Sequence, residues 1–221
     1  MRERVRRRIR GGPADAADAG FTLIELIVAM GIFLVFVAIF LSAMVNLTRG
    51  TTRSSNVAQS TSSLLVVFQN LDRQVRYADA VNRPGNGTGG NRYIEFRVPA
   101  VSTTDRVTRC YQWRYNKTTG VISSRSWADI AGSTKTPWST KIESVINVGG
   151  STYPFAMIPA SSTVLRQQFQ LTLSAGLGGA DTDISTKFVA RNSSIDSTSN
   201  LDANADGSSD SPVCLTTGDR P

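Results

Sequence analysis

One carboxylate stands where a carboxylate is costly. In the run FTLIELIVAMGIFLVFVAIFLSAMVNLT, from Phe21 to Thr48, Glu25 is the only ionisable side chain, and the 23 residues from Leu26 to Thr48 carry no charge. In an apolar medium an unpaired carboxylate costs several kcal/mol, so Glu25 calls for a cationic partner. Two other sets of residues could do chemistry. Cys110 and Cys214 are the only cysteines. They fit a single disulfide in an oxidising compartment, or two buried thiols. Asp202, Asn204, Asp206 and Asp210 set oxygen donors around Gly207 as the opening of a calcium loop does. The twelfth position is Val213 rather than a bidentate Glu, and a solvated Asp/Asn/Gly turn accounts for the same residues.

The chain has no histidine, which removes the commonest general base and metal ligand. It also lacks a Gly-x-Ser-x-Gly elbow, a phosphate loop and zinc-type cysteine spacing. These absences argue against an enzyme, and no cofactor is expected apart from the calcium reading. The formal charge is +7 over 221 residues. Six arginines against Glu3, Asp15 and Asp18 leave +3 on residues 1–20 and +4 on the rest, so the basic balance is weak support for nucleic-acid binding.

The element that must carry Glu25 is a helix. At about 1.5 Å per residue, 23 uncharged residues cover the roughly 30 Å of a bilayer core. The basic segment RERVRRRIR, residues 2–10, precedes it. The positive-inside rule therefore places residues 1–20 in the cytoplasm and everything beyond about Leu47 outside. A secretory signal would have a shorter apolar run with its small residues after it. Here Ala19 and Gly20 come before the run.

Gly20-Phe21-Thr22-Leu23-Ile24-Glu25, with its basic leader and uncharged span, resembles the cleavage and methylation motif of type IV prepilins and type II secretion pseudopilins. The resemblance implies that prepilin peptidase cuts after Gly20 and that the new amine of Phe21 is methylated. It also implies that Glu25 neutralises the amine of a neighbouring subunit during assembly. Partners would be the peptidase, other pilin or pseudopilin subunits and the membrane; nucleic acid is possible but not indicated. The chain would be a single-pass membrane protein that passes into an extracellular filament. Major pilins often carry a mid-span proline where this chain has Ser42, which favours a straighter helix and a minor subunit.

Beyond the span, Val57, Leu64, Phe68, Leu71 and Val75 recur at helical spacing, with Val67 beside them. One helix is expected from about Phe21 to about Ala78, with a bend or break at Thr48–Ser55 as the alternative. Residues 82–91 (NRPGNGTGGN) read as a loop, and the period then turns to alternation. Ile94, Phe96 and Val98 give one strand a single apolar face. Residues 107–115 and 121–127 flank NKTTG as a hairpin, and 141–148, 163–175 and 186–191 are further strand candidates.

The expected fold class is α+β, a pilin-like roll with one long N-terminal helix packed on an antiparallel sheet. The expected organisation is a leader over 1–20, a membrane helix over 21–48 and an amphipathic continuation over 49–80. A sheet domain over 81–191 and a polar tail over 192–221 follow. RCYQWRY, LTLSAG and FVARNSS loosely resemble minor pilins of the PilW or GspJ type. The Tyr and Trp residues interleaved with Arg109, Arg114 and Arg125 suit a base-stacking DNA-capture or adhesive tip. They suit better cross-strand aromatic pairs with solvated arginines on the other face. A signal-anchored domain unrelated to pili is the remaining alternative.

Overall fold

The computed structural model describes residues 21–143, 145–146, 149–150, 153–176, 181–215 and 219–221. Gly20 and the arginine-rich start lie outside them. The chain divides into two units, residues 1–50 and 51–221. Helix α1, Leu23–Arg76, runs from the first into the second. It is helical through Thr48–Ser55 and across Ser42, so the expected alternative of a break does not occur.

In the first unit every described side chain is exposed except Val37, which is partly covered. Such a surface is unsuited to water and suited to lipid or to other apolar helices. Leu23–Ser55 is long and apolar enough to cross a membrane.

The second unit holds ten strands among the described residues. They are β1 (Ala80–Val81), β2 (Gly85–Asn86), β3 (Arg92–Val98), β4 (Arg109–Asn116), β5 (Val121–Ala128), β6 (Ser139–Ile142), β7 (Val145–Ile146), β8 (Phe155–Ile158), β9 (Gln168–Gly176) and β10 (Asp181–Val189). They form two antiparallel sheets where one was expected. The first has the order β1-β3-β4-β5-β6, with β2 also on β3; the second has β10-β9-β7, with β8 also on β9. The β4–β5 hairpin closes over Asn116–Gly120. Gly120 has φ of +64°, and a Cβ there would meet the Val145 carbonyl oxygen at 2.5 Å, so glycine is required on two counts.

The candidate over 141–148 resolves into β6 and β7, with Asn147 and Val148 outside the described residues. The candidate over 163–175 starts only at Gln168, and β8, with the cis Tyr153–Pro154 bond before it, was not expected.

Helix residues Leu64, Val67, Leu71 and Val75 are buried, and Phe68 packs against them. The side chain of Val57 lies outside the described set. This stripe shares one core with Ile94, Phe96 and Trp113 of the first sheet and Phe155, Phe169 and Phe188 of the second. Trp113 donates its indole N–H to Gln74 Oε1 at 3.4 Å, which satisfies the polar end of the largest buried ring.

Alternation in β3 suggested one buried face, yet Tyr93 and Glu95 are as buried as Ile94 and Phe96. The second face is covered by the C-terminal segment. Residues 192–221 were expected as a polar tail. Their described part is irregular, but Ser193, Ser199, Asn200, Ser209, Val213 and Asp219 are buried. Hydrogen bonding replaces apolar burial here: Gln167 N donates to Ser193 Oγ at 2.8 Å, and Ser199 Oγ to the Val81 carbonyl at 2.8 Å.

Candidate functional site

Glu25 sits in the first turn of α1. Thr22 precedes the helix: its carbonyl accepts from Leu26 N at 3.2 Å and its Oγ1 from Glu25 N at 3.3 Å. These are the bonds of a helix N-cap. The spacing Thr22-x-x-Glu25 is the capping-box pattern, a sequence signal for this helix start that the reading above did not use. A carboxylate in the first turn also meets the positive end of the helix dipole. Among the described residues the Glu25 carboxylate makes no hydrogen bond or ion pair, and it is exposed beside bare apolar side chains. Phe21, four residues before it, is 87% exposed and precedes the helix.

Cys110 and Cys214 are joined in a disulfide that links β4 to the C-terminal segment, 104 residues apart. It borders a polar row that sequence reasoning missed. Glu95, Gln112 and Arg125 stand opposite one another across β3, β4 and β5. Glu95 is fully buried and receives both Arg220 Nε (2.9 Å) and Nη2 (2.6 Å). Gln112 Nε2 (3.0 Å) and Asn82 Nδ2 (3.2 Å) complete its shell. The Asp219 carbonyl accepts from Gln112 Nε2 and Arg125 Nη2, each at 2.9 Å, and the Asp219 carboxylate pairs with Lys135. Asn82 clamps Val213 through both its amide and its carbonyl. Gly87 lets the chain in: a Cβ there would meet the Arg220 carbonyl oxygen at 2.4 Å.

Of the arginines expected to be solvated, Arg109 stays partly exposed, whereas Arg114 and Arg125 are packed against aromatic rings. Arg114 and Arg125 lie over the Trp138 ring at 4.2 and 4.4 Å, and Arg125 also faces Trp127 at 5.7 Å. Burial lowers the Arg125 pKa, followed by the opposing influences of Tyr93, Arg114 and Glu95. Arg109 pairs with Asp105 instead. Arg114 and Arg125 are thus committed to tryptophan rings within the domain. The apolar-face pairs are Phe96–Tyr111, stacked at 5.5 Å, and Tyr115–Tyr153, edge-on at 5.8 Å.

The Asp/Asn loop closes on its own backbone. Asp202 receives Asp206 N and Gly207 N, and ion-pairs with Arg83 at 3.4 Å. Asn204 Oδ1 also accepts from Asp206 N, and Asp210 receives Ala203 N. The Ser208 amide, and then the Asn204 side chain, hold the Asp206 carboxyl below the usual carboxylate range. Among the described residues no group of three or more His, Cys, Asp or Glu side chains converges; the loop's oxygen donors are Asp202, Asn204, Asp206 and Asp210.

Residues 15–41 match the family model of the prokaryotic N-terminal methylation motif. No curated protein and no solved structure matches the chain. The match covers the leader end and the first part of α1, and it supports the pilin-like class. A motif of that class implies processing by prepilin peptidase and assembly with other pilins. Together with the exposed apolar helix it fits anchoring in a membrane. The class is structural rather than enzymatic.

Proposed function

We propose that this chain is a structural minor pilin or pseudopilin, cut after Gly20, methylated on Phe21 and assembled through α1 into a type IV pilus or a type II-secretion-like filament. The observation that carries this reading is an apolar helix exposed along its first half with one unpaired acid in its first turn, inside a methylation-motif match. Cutting after Gly20 frees an amine four residues from Glu25. In low dielectric a neighbour's amine and this carboxylate attract strongly, and pairing removes the penalty each would bear alone. The apolar faces then bury one another. Before assembly the same helix holds the chain in the membrane with its arginines inside and its sheet domain outside. The uninterrupted helix at Ser42 favours a minor rather than a major subunit. Nothing favours a DNA-capturing tip: of the arginines it would use, Arg114 and Arg125 are stacked on Trp138 and Arg109 is paired with Asp105.

The test is intact-mass and N-terminal mass spectrometry of the chain purified from its own membranes. A mature chain beginning at N-methylated Phe21, and an uncut precursor for Gly20→Val, are expected. A native chain that still begins with its arginine-rich segment overturns the reading.

A further inference from the structure

At the rim of the second unit's core a pocket of about 300 Å³ opens between the first sheet and the connection that carries Gly149, Gly150 and Tyr153. Arg92 and Tyr115 face each other across β3 and β4 and line one side. Lys117, Asn86, Tyr153 and three glycines (Gly90, Gly149 and Gly150) form the rest, and among the described residues no carboxylate lines it.

Its polar groups are incompletely used. Tyr115 is 2% exposed, and its hydroxyl is fully buried without a hydrogen-bond partner. Its neighbour Tyr153 is satisfied: its hydroxyl donates to the Ile146 carbonyl and accepts from Ser174 N at 3.3 Å. Arg92 donates from Nη1 to Asn86 Oδ1 at 3.2 Å, while its Nε is buried without an acceptor. Among the described residues neither Arg92 nor Lys117 makes an ion pair. An unpaired buried hydroxyl and guanidinium nitrogen are costly, and native proteins rarely leave them so without a ligand or ordered water.

We propose that this pocket binds a small oxyanion, a phosphate or carboxylate group, held by the Arg92 guanidinium, the Lys117 ammonium and the Tyr115 hydroxyl. The guanidinium and the ammonium are donors that carry two positive charges, and the phenol can donate beside them, so an anionic oxygen ligand complements all three in charge as well as in hydrogen bonding. Burial, and then the nearby Tyr153, push the Tyr115 phenol up to about 12, so it stays protonated and can donate at neutral pH. Burial, and then Arg220, lower the Arg92 pKa, a cost that an anion offsets. No described residue of α1 lines the pocket.

The experiment uses the full chain in detergent micelles, titrated with inorganic phosphate and separately with acetate at constant ionic strength. Thermal unfolding is followed for both, and phosphorus NMR line width for phosphate. Saturable stabilisation by either anion is expected: phosphate alone marks a tetrahedral ligand, both mark any oxyanion. Tyr115→Phe should weaken binding about tenfold, as for one hydrogen bond to a charged group. Without anion it should melt no lower than the unaltered chain, because it loses no bond. Arg92→Gln should abolish binding, and Lys117→Ala, at an exposed position, should weaken it with the fold intact. Three results would overturn the proposal: no saturable effect of either anion, unchanged binding in Tyr115→Phe and Lys117→Ala, or an anion-free melting loss of several degrees in Tyr115→Phe.

Discussion

At the scale of single residues, charges decide most where they are buried, and Glu95–Arg220 is the most covered ion pair among the described residues. Glu95 is wholly covered and Arg220 has 19% of its side chain exposed, so water screens the pair little. Two further donors reach the same carboxylate, which is the condition under which a buried pair repays desolvation. Arg220→Ala would leave Glu95 buried without its cation. The expected loss is about 3–5 kcal/mol of domain stability, measured by urea unfolding. A loss below about 1 kcal/mol would mean that the carboxylate is hydrated in solution. Nothing local in the sequence announces this pair. Its members lie 125 positions apart, and each reads as a surface charge in a strand or a polar tail. Glu25 is the opposite case, legible at once because the surrounding residues are uniformly apolar.

At the scale of elements, α1 changes solvent along its length. Up to Val45 its sides are almost wholly bare apolar surface; from Leu64 to Val75 one apolar stripe is buried. That second register was legible from periodicity, because a helix face repeats every three to four residues whatever it packs against. The strands were less so. β3, β4 and β5 announced themselves through alternation and the Asn116–Gly120 turn, while β1 and β2 are two residues each and carry no period. The second buried face of β3 was also hidden, since a polar residue covered by a hydrogen-bonded segment looks in sequence like one facing water. The helix register makes a sharp contrast. Leu71 is fully buried, so Leu71→Ala should cost about 2–5 kcal/mol. Leu65 is 55% exposed, so Leu65→Ala should stay within about 0.5 kcal/mol. Thermal and urea unfolding of the two variants side by side measure the difference, and comparable losses would mean a rotated helix.

At the scale of the whole molecule, the chain joins a greasy N-terminal helix to a domain that must hold together with an irregular C-terminal segment. From residue 192 onward it forms no strand or helix among the described residues, so no backbone ladder fixes it. Three kinds of tether replace the ladder: the Cys110–Cys214 bond, the clamp of Asn82 on Val213, and the grip of Glu95, Gln112 and Arg125 on Asp219 and Arg220. The disulfide acts chiefly on the unfolded chain, by closing a loop of about 100 residues, which is worth roughly 4–5 kcal/mol. The polar contacts act on the folded one. The two effects should therefore separate. The Cys110→Ser/Cys214→Ser chain should lose about 4 kcal/mol in urea unfolding while the sheet forms and Trp138 stays stacked by Arg114 and Arg125, read as unchanged tryptophan emission in native buffer. An emission shift towards that of solvent-exposed tryptophan without denaturant would mean that the disulfide itself holds the segment on the sheet and that the polar row cannot do so alone.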